Sequence, residues 1–352
     1  KGALKLCKHL SDMQISLAPK LRLVELLEAL EPNAAVARAL QLDDGSGPLF
    51  SMLTAVVVGP STVRPLGCAL GRILGRAVAR HEPLQHFLLD SLVPQMDFTP
   101  GEVQPAGRQL VGLLDEAAEG SAEPGRLWFG MHLLLAMLQG NADVQNACER
   151  KAVSIPSDAG PPETFLDLIF RAFSACARAC RNNQARSGAS LEQRSAEPAP
   201  ASADPGPEPE APAAALVAIL KFLVYWLASC PAALVSFACS PSHLPLAMDL
   251  AYALPRSSCG NFFRVQVEGL TCLLLGICIK SESKDVEAHS LMGTVAKHIG
   301  IEEFQQKGER LWRSEPLQRP PRSLVDFRWY GGQFRTFIRE QQRAAQRRMV
   351  QL

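Results

Sequence analysis

The stretch Leu216–Cys239 limits the folds open to this chain more than any other. It reads LVAILKFLVYWLASCPAALVSFAC, an apolar run whose only charge is Lys221. A bilayer span needs about 20 apolar residues, so an integral membrane helix through 216–239 has to be weighed. Three features favour a core helix of a helical protein instead. Lys221 lies within the run, Pro231 splits it, and the split falls where similar segments elsewhere in the chain place a turn, at Glu31-Pro32 and Gln139-Gly140. A helix that is apolar all round is what a helix sandwiched between neighbours requires. The run is therefore read as one inner helix followed by the start of the next.

The rest of the chain supports a helical reading. Pro19–Leu40 reads as two helices interrupted at Pro32, and Gly45, Gly47 and Pro48 then break the pattern. Leu49–Val58, Arg64–Arg80, Leu84–Leu92, Ala106–Ala118, Leu127–Leu138 and Ala142–Ala152 continue in kind; in Arg64–Arg80, Leu66, Leu70, Ile73, Leu74 and Ala77 share one face. Phe165–Cys180 follows. From about Asn182 to Pro212 the composition turns to Pro, Ala, Glu and Ser, too poor in apolar residues to offset the entropy of ordering, so a disordered loop is expected there. Helices resume at Ala213, with Phe262–Ile279 and Val286–His298 among them. A connector with Pro316, Pro320 and Pro321 leads to a last helix from about Gly332 to Val350. Almost nothing alternates with period two, so the fold class is all-α.

Internal similarity sharpens this. LLEALEPNAAV from Leu26 and LLAMLQGNADV from Leu134 align without a gap, and looser copies start at Leu74, Leu223 and Leu274. Successive starts lie 48, 60, 89 and 51 residues apart, the longest interval holding the Pro-rich segment. That rhythm resembles the roughly 40–47-residue units of armadillo and HEAT arrays. The expected architecture is an armadillo/HEAT-like α-solenoid, a right-handed superhelix of stacked helices. It would occupy 1–181 and 213–314 on either side of the 182–212 loop, with a connector and terminal helix over 315–352.

Chemistry is harder to find. The formal net charge of +1 gives no global field to steer nucleic acid, and none is expected as a partner. Ten cysteines are present, but several sit in apolar helical patterns and none form paired CxxC spacing, as reduced thiols of a cytoplasmic protein would. His81 and His86 flank Glu-Pro-Leu-Gln, one step too far apart for HExxH, and Pro83 suits a turn opening a new helix. Cys176 and Cys180 share a helix face, but no second ligand pair accompanies them, so buried thiols are the expectation. Gly45-Ser46-Gly47 is read as a loop. No phosphate cradle or dinucleotide fingerprint occurs. No catalytic residue, metal or cofactor is expected. Gly269 and Gly276, seven apart on one helix stripe, are read as points where a neighbouring helix approaches closely.

The last helix holds the candidate site. Phe334, Phe337, Ile338, Gln341, Ala345 and Met349 line one face, while Arg335, Arg339, Arg343 and Arg347 recur every four residues on another, with Arg348 beside them. Such a basic amphipathic helix fits acidic headgroups or an acidic partner.

A resemblance then emerges from several blocks in order. Leu127–Gln145 (LWFGMHLLLAMLQGNADVQ), Leu220–Cys239, Val267–Ile279 (VEGLTCLLLGICI), Lys297–Leu311 (KHIGIEEFQQKGERL) and the closing Asp326–Glu340 (DFRWYGGQFRTFIRE) resemble the globular head of the general vesicular transport factor family, the Golgi vesicle-tethering proteins related to yeast Uso. The resemblance runs from about Leu127 to Glu340. It implies an armadillo-like head acting without catalysis in traffic between endoplasmic reticulum and Golgi. Rab-type GTPases, SNAREs and golgins would be its partners, and its location cytoplasmic and peripheral on Golgi and vesicle membranes. Members are typically homodimers through a long coiled coil after the head; this chain carries no such heptads and no acidic tail, so dimerisation and golgin docking through those parts do not carry over to it from the family. It also adds the 182–212 segment. Since the first residue is Lys1, the chain is expected to be a fragment or processed form. Another armadillo/HEAT-type adaptor, in transport or cytoskeletal assembly, is the alternative function.

Overall fold

The structure is a computed structural model describing residues 20, 40, 49–59, 64–94, 103–154, 161–193, 210–252, 254, 260–281, 291–318 and 332–350. Among these, regular structure is helical. The one named bridge pairs Ala152 with Thr164 in antiparallel sense, with Val153 N–H donating to Glu163 and Phe165 N–H to Lys151. The expected helices at Pro19–Leu40 and the Gly45–Gly47 loop lie outside the described residues, Lys20 and Leu40 excepted. The chain divides into two compact units, and the second begins at Phe170.

In the first unit the helices are α1 (Leu49–Val58), α2 (Arg64–Arg80), α3 (Glu82–Asp90), α4 (Ala106–Glu119), α5 (Pro124–Leu138) and α6 (Ala142–Arg150), then the start of α7 (Phe165–Gln193). Helix α5 is central, packing on α1, α2, α3, α4 and α6. Its sequence shows why: from Leu127 to Leu138 every residue except His132 is buried, so no side of the helix is fit to face water.

The second unit repeats that plan with other helices. These are α8 (Ala211–Ser229), α9 (Pro231–Ala238), α10 (His243–Tyr252), α11 (Asn261–Ser281), α12 (Leu291–His298), α13 (Ile301–Arg313), the single turn α14 (Glu315–Gln318) and α15 (Gly332–Val350). Here α11 is central, contacted by α8, α10, α12, α13 and α15, and every residue from Gln266 to Ile279 is buried. Gly269 and Gly276 do what their spacing suggested. A Cβ at Gly269 would collide with Leu311 Cβ of α13, and one at Gly276 would lie 3.1 Å from Ala345 Cβ of α15.

One local motif recurs in both units. The sequence copies starting at Leu74, Leu134 and Leu223 each reach, seven residues on, a corner residue in extended conformation: His81 (φ −126°, ψ 99°), Asn141 (φ −126°, ψ 96°) and Cys230 (φ −120°, ψ 97°). Each opens a short second helix, α3, α6 or α9, and each accepts at its carbonyl from the N–H four residues later, from Gln85, Gln145 and Leu234. Extended N-cap geometry lets the chain turn while its carbonyl already accepts the first helical bond, and the prolines of α3 and α9 sit in the first turn, where no N–H is needed. The corner at Cys230 divides the 216–239 run into α8 and α9, as Pro231 implied.

One boundary differs from expectation. Helix α7 does not end at Cys180 but continues to Gln193. After Arg181 the sequence NNQARSGASLEQ contains no proline and several good helix formers, so propensity carries the helix on without an apolar face. Residues 194–209 lie outside the described residues.

Candidate interaction surface

Helix α15 is held by its apolar face. Phe334, Ile338 and Ala345 are buried; Ala345 meets Gly276, and Ile338 lines a small space together with Gly269, Cys272, Phe304 and Leu311. Its first turns also meet α8: the Phe337 ring lies 5.0 Å from that of Tyr225, and Lys221 Nζ lies 5.8 Å from the Phe334 ring centre. Two adjacent positions of α8, four apart, thus receive two aromatics of α15.

The arginines divide. Arg339, Arg343 and Arg347 are exposed, whereas Arg335 is half-buried with its Nε enclosed and unbonded, and the side chain of Arg348 lies outside the described residues. Helical geometry accounts for this. Steps of four residues advance about 40° beyond a full turn, so a four-spaced series spirals across the surface. Arg335 falls on the shoulder next to Phe334 and Ile338, and Arg343 and Arg347 fall opposite them. Arg339 is intermediate: its guanidinium lies 5.2 Å from the Trp312 ring centre of α13, a cation–π contact that anchors one end of the stripe. Among the described residues the four-spaced series therefore displays three arginines, not four.

The other sequence candidates resolve into packing. His81 is the corner residue before α3, and His86 within α3 lies 3.6 Å from Glu82. Among the described residues no three His, Cys, Asp or Glu side chains are grouped to hold a metal ion. Cys176 and Cys180 are both buried in α7, and burial pushes the Cys176 thiol up to about 12, far from thiolate chemistry at neutral pH. Helices α8 and α11 are long and apolar enough to cross a membrane, but 78% and 83% of their most apolar windows are buried inside the protein, the condition of core helices.

Comparison with known proteins gives this surface a context. Residues 47–324 match the family described as Uso1 / p115 like vesicle tethering protein, head region. The chain belongs to this family. The match takes in α1 to α14 and reaches further towards the N-terminus than the Leu127 at which the resemblance in the sequence began; α15 lies beyond its end. A segment of 109 residues is also 30% identical to "Golgin candidate 6" of Arabidopsis thaliana, covering 29% of this chain and 11% of that protein. Membership in the Uso1/p115-like head family supports a role in vesicle tethering, with proteins as partners and an association with Golgi membranes.

Proposed function

We propose that this chain acts without catalysis as the tethering head of a peripheral Golgi protein, working on the cytoplasmic face in endoplasmic reticulum-to-Golgi or intra-Golgi traffic. The observation that carries the reading is the family match over residues 47–324. In this reading the helix pairs stack as an armadillo-like solenoid, for which the shared corner at His81, Asn141 and Cys230 is the support. A stacked array buries a continuous core and leaves a long outer surface, which is presented to a Rab-type GTPase, a SNARE or a golgin. The arginines Arg339, Arg343 and Arg347 add an electrostatic contact with acidic headgroups.

Acute depletion of the protein, followed by timed release of a secretory cargo from the endoplasmic reticulum, tests the tethering role. Delayed arrival at the Golgi, with free vesicles accumulating, is expected; unchanged arrival would overturn the reading. Capture of the chain on a panel of GTP-loaded Rab-type GTPases tests the partner class, with retention by one or a few secretory members expected and uniform absence counting against it.

A further inference from the structure

The second unit holds a polar pocket of about 380 Å³ between the first half of α11 and the middle of α13, and it shares no lining residue with the small space under α15. Asn261, Arg264, Val265 and Glu268 follow at i, i+3, i+4 and i+7, so a single face of α11 makes one wall. Lys307 and Arg310, three apart on α13, line it from the other helix. Only Val265 among these six is apolar. The core below is closed, since every residue of α11 from Gln266 to Ile279 is buried, and charge meets this helix where that cover is incomplete, at the half-buried Arg264 and Val265.

Three cations and one carboxylate line this pocket, and their partners are unequal. Lys307 is buried and spends its ammonium on the carbonyls of Ala251 and Tyr252 and on Glu268 at 3.5 Å, so that pair is neutral and closed. Arg310 bonds the Gln306 amide at 3.0 Å and pairs with Glu303 at 3.3 Å. Both of those charged side chains are about half exposed, at 51% and 42%, and an ion pair so placed is weak and readily exchanged. Glu303 also comes within 3.9 Å of Lys307. Arg264 differs from both. Its guanidinium donates to the neutral Asn261 Oδ1 at 2.7 Å, and among the described residues no carboxylate pairs with it; Glu210, which lies against Gly260, forms no ion pair with it. With Glu268 matched to Lys307 and Glu303 to Arg310, one guanidinium in a concave polar site is left without a counter-charge.

We propose that this pocket binds a phosphate monoester, held by the guanidinium groups of Arg264 and Arg310, with Glu303 as the internal competitor that the phosphate displaces from Arg310. A guanidinium presents its N–H groups as a planar fork that takes two oxygens at once, and a phosphate has oxygens enough for two forks where a carboxylate has enough for one. Asn261 accepts from Arg264 through its oxygen, which leaves its amide N–H groups for the ligand. The volume falls within the roughly 300–1,000 Å³ of small-molecule sites, so the group carrying the phosphate has room as well. The proposal rests on the pocket alone and stands whether or not the tethering role does.

The test uses the full 352-residue chain and two sources of the same group. Calorimetric titration with glycerol 3-phosphate reads a free phosphate monoester; sedimentation with vesicles containing phosphatidic acid, set against phosphatidylserine vesicles of matched surface charge, reads one carried on a lipid. Binding of glycerol 3-phosphate assigns the pocket to a soluble ligand, and a preference for phosphatidic acid without it assigns the pocket to a headgroup. In either case Arg264→Gln should weaken the binding at least tenfold, the loss of a charge-assisted hydrogen-bonding fork, with an unchanged melting midpoint. Arg310→Gln, at an exposed position, should weaken it in the same direction. Glu303→Gln should tighten it, because the competing carboxylate is gone. Absence of both the titration heat and the phosphatidic acid preference would overturn the proposal. So would binding that survives Arg264→Gln, or binding indifferent to Glu303→Gln, since either places the phosphate elsewhere on the molecule.

Discussion

Among the described residues of the second unit two lysines are buried, and their surroundings give them opposite roles. Lys307 of α13 donates to the carbonyls of Ala251 at 2.7 Å and Tyr252 at 3.1 Å, and faces Glu268 at 3.5 Å. Those carbonyls end α10 and have no partner within their own helix, so the ammonium is both neutralised and used as a cap. Lys221 in α8 is held differently: burial pulls its pKa from 10.5 down to about 7, with the Phe334 ring as a weak cation–π support. Below pH 7 the ammonium is charged in both folded and unfolded chains and the full cost of burying it is present. Between about 7 and 10.5 only the unfolded chain holds the proton, so this site's contribution to stability rises with pH across that window. Lys221→Met should therefore stabilise the second unit by about 1–4 kcal/mol below pH 7, with the gain shrinking as pH approaches 10. Urea unfolding at pH 6, 8 and 9.5 measures this, and a gain independent of pH would show that the buried charge is not its source.

At the scale of elements, the contact of α13 with α11 depends on a missing side chain. The atom that a Cβ at Gly269 would strike is Leu311 Cβ, which is fixed to its own backbone and cannot swing aside. Alanine would favour the helix by about 1 kcal/mol on propensity. The collision outweighs this, and Gly269→Ala should lower stability by about 1–3 kcal/mol in denaturant unfolding. Gly276→Ala should change it by less than about 1 kcal/mol, because the Ala345 methyl is 3.1 Å away and needs to move only a few tenths of an ångström. The pair distinguishes close approach from generic loss of glycine. This stripe was legible in the sequence because glycine has few other reasons to recur within an apolar helix. The corner at Cys230 was legible because Pro231 cannot continue a helix. Helix α13 was not, since its buried face is Phe304, Lys307 and Leu311, and a lysine at its centre hides the apolar period. The far end of α7 was hidden for the converse reason, being helical on propensity with no apolar stripe. The candidate stripe was only partly legible: four-residue spacing identified the arginines, but which of them lies on the shoulder depends on how α15 is docked.

For the molecule as a whole, the question is what an arginine stripe adds to a protein whose family is defined by acting between membranes. The formal net charge of +1 supplies no long-range attraction to an anionic bilayer, so any such attraction has to be local. Arg339, Arg343 and Arg347 are exposed on a helix whose other face is buried, which fixes all three on one side of a rigid element. Basic residues near an anionic surface contribute about 1 kcal/mol each, so the triple replacement Arg339→Gln, Arg343→Gln, Arg347→Gln removes about 3 kcal/mol, on the order of a hundredfold in partitioning. Sedimentation with phosphatidylserine vesicles at low ionic strength should show this loss, and binding of the unaltered chain should weaken as added salt shortens the screening length. Arg335→Gln serves as the internal control, because a half-buried guanidinium on the packed shoulder reaches no headgroup and its loss should leave partitioning unchanged. If Arg335→Gln matched Arg343→Gln in effect, the attraction would belong to charge in general rather than to this face. If the triple replacement left partitioning intact, α15 would be a docked helix with a solvated side, and recruitment to membranes would fall to protein partners alone.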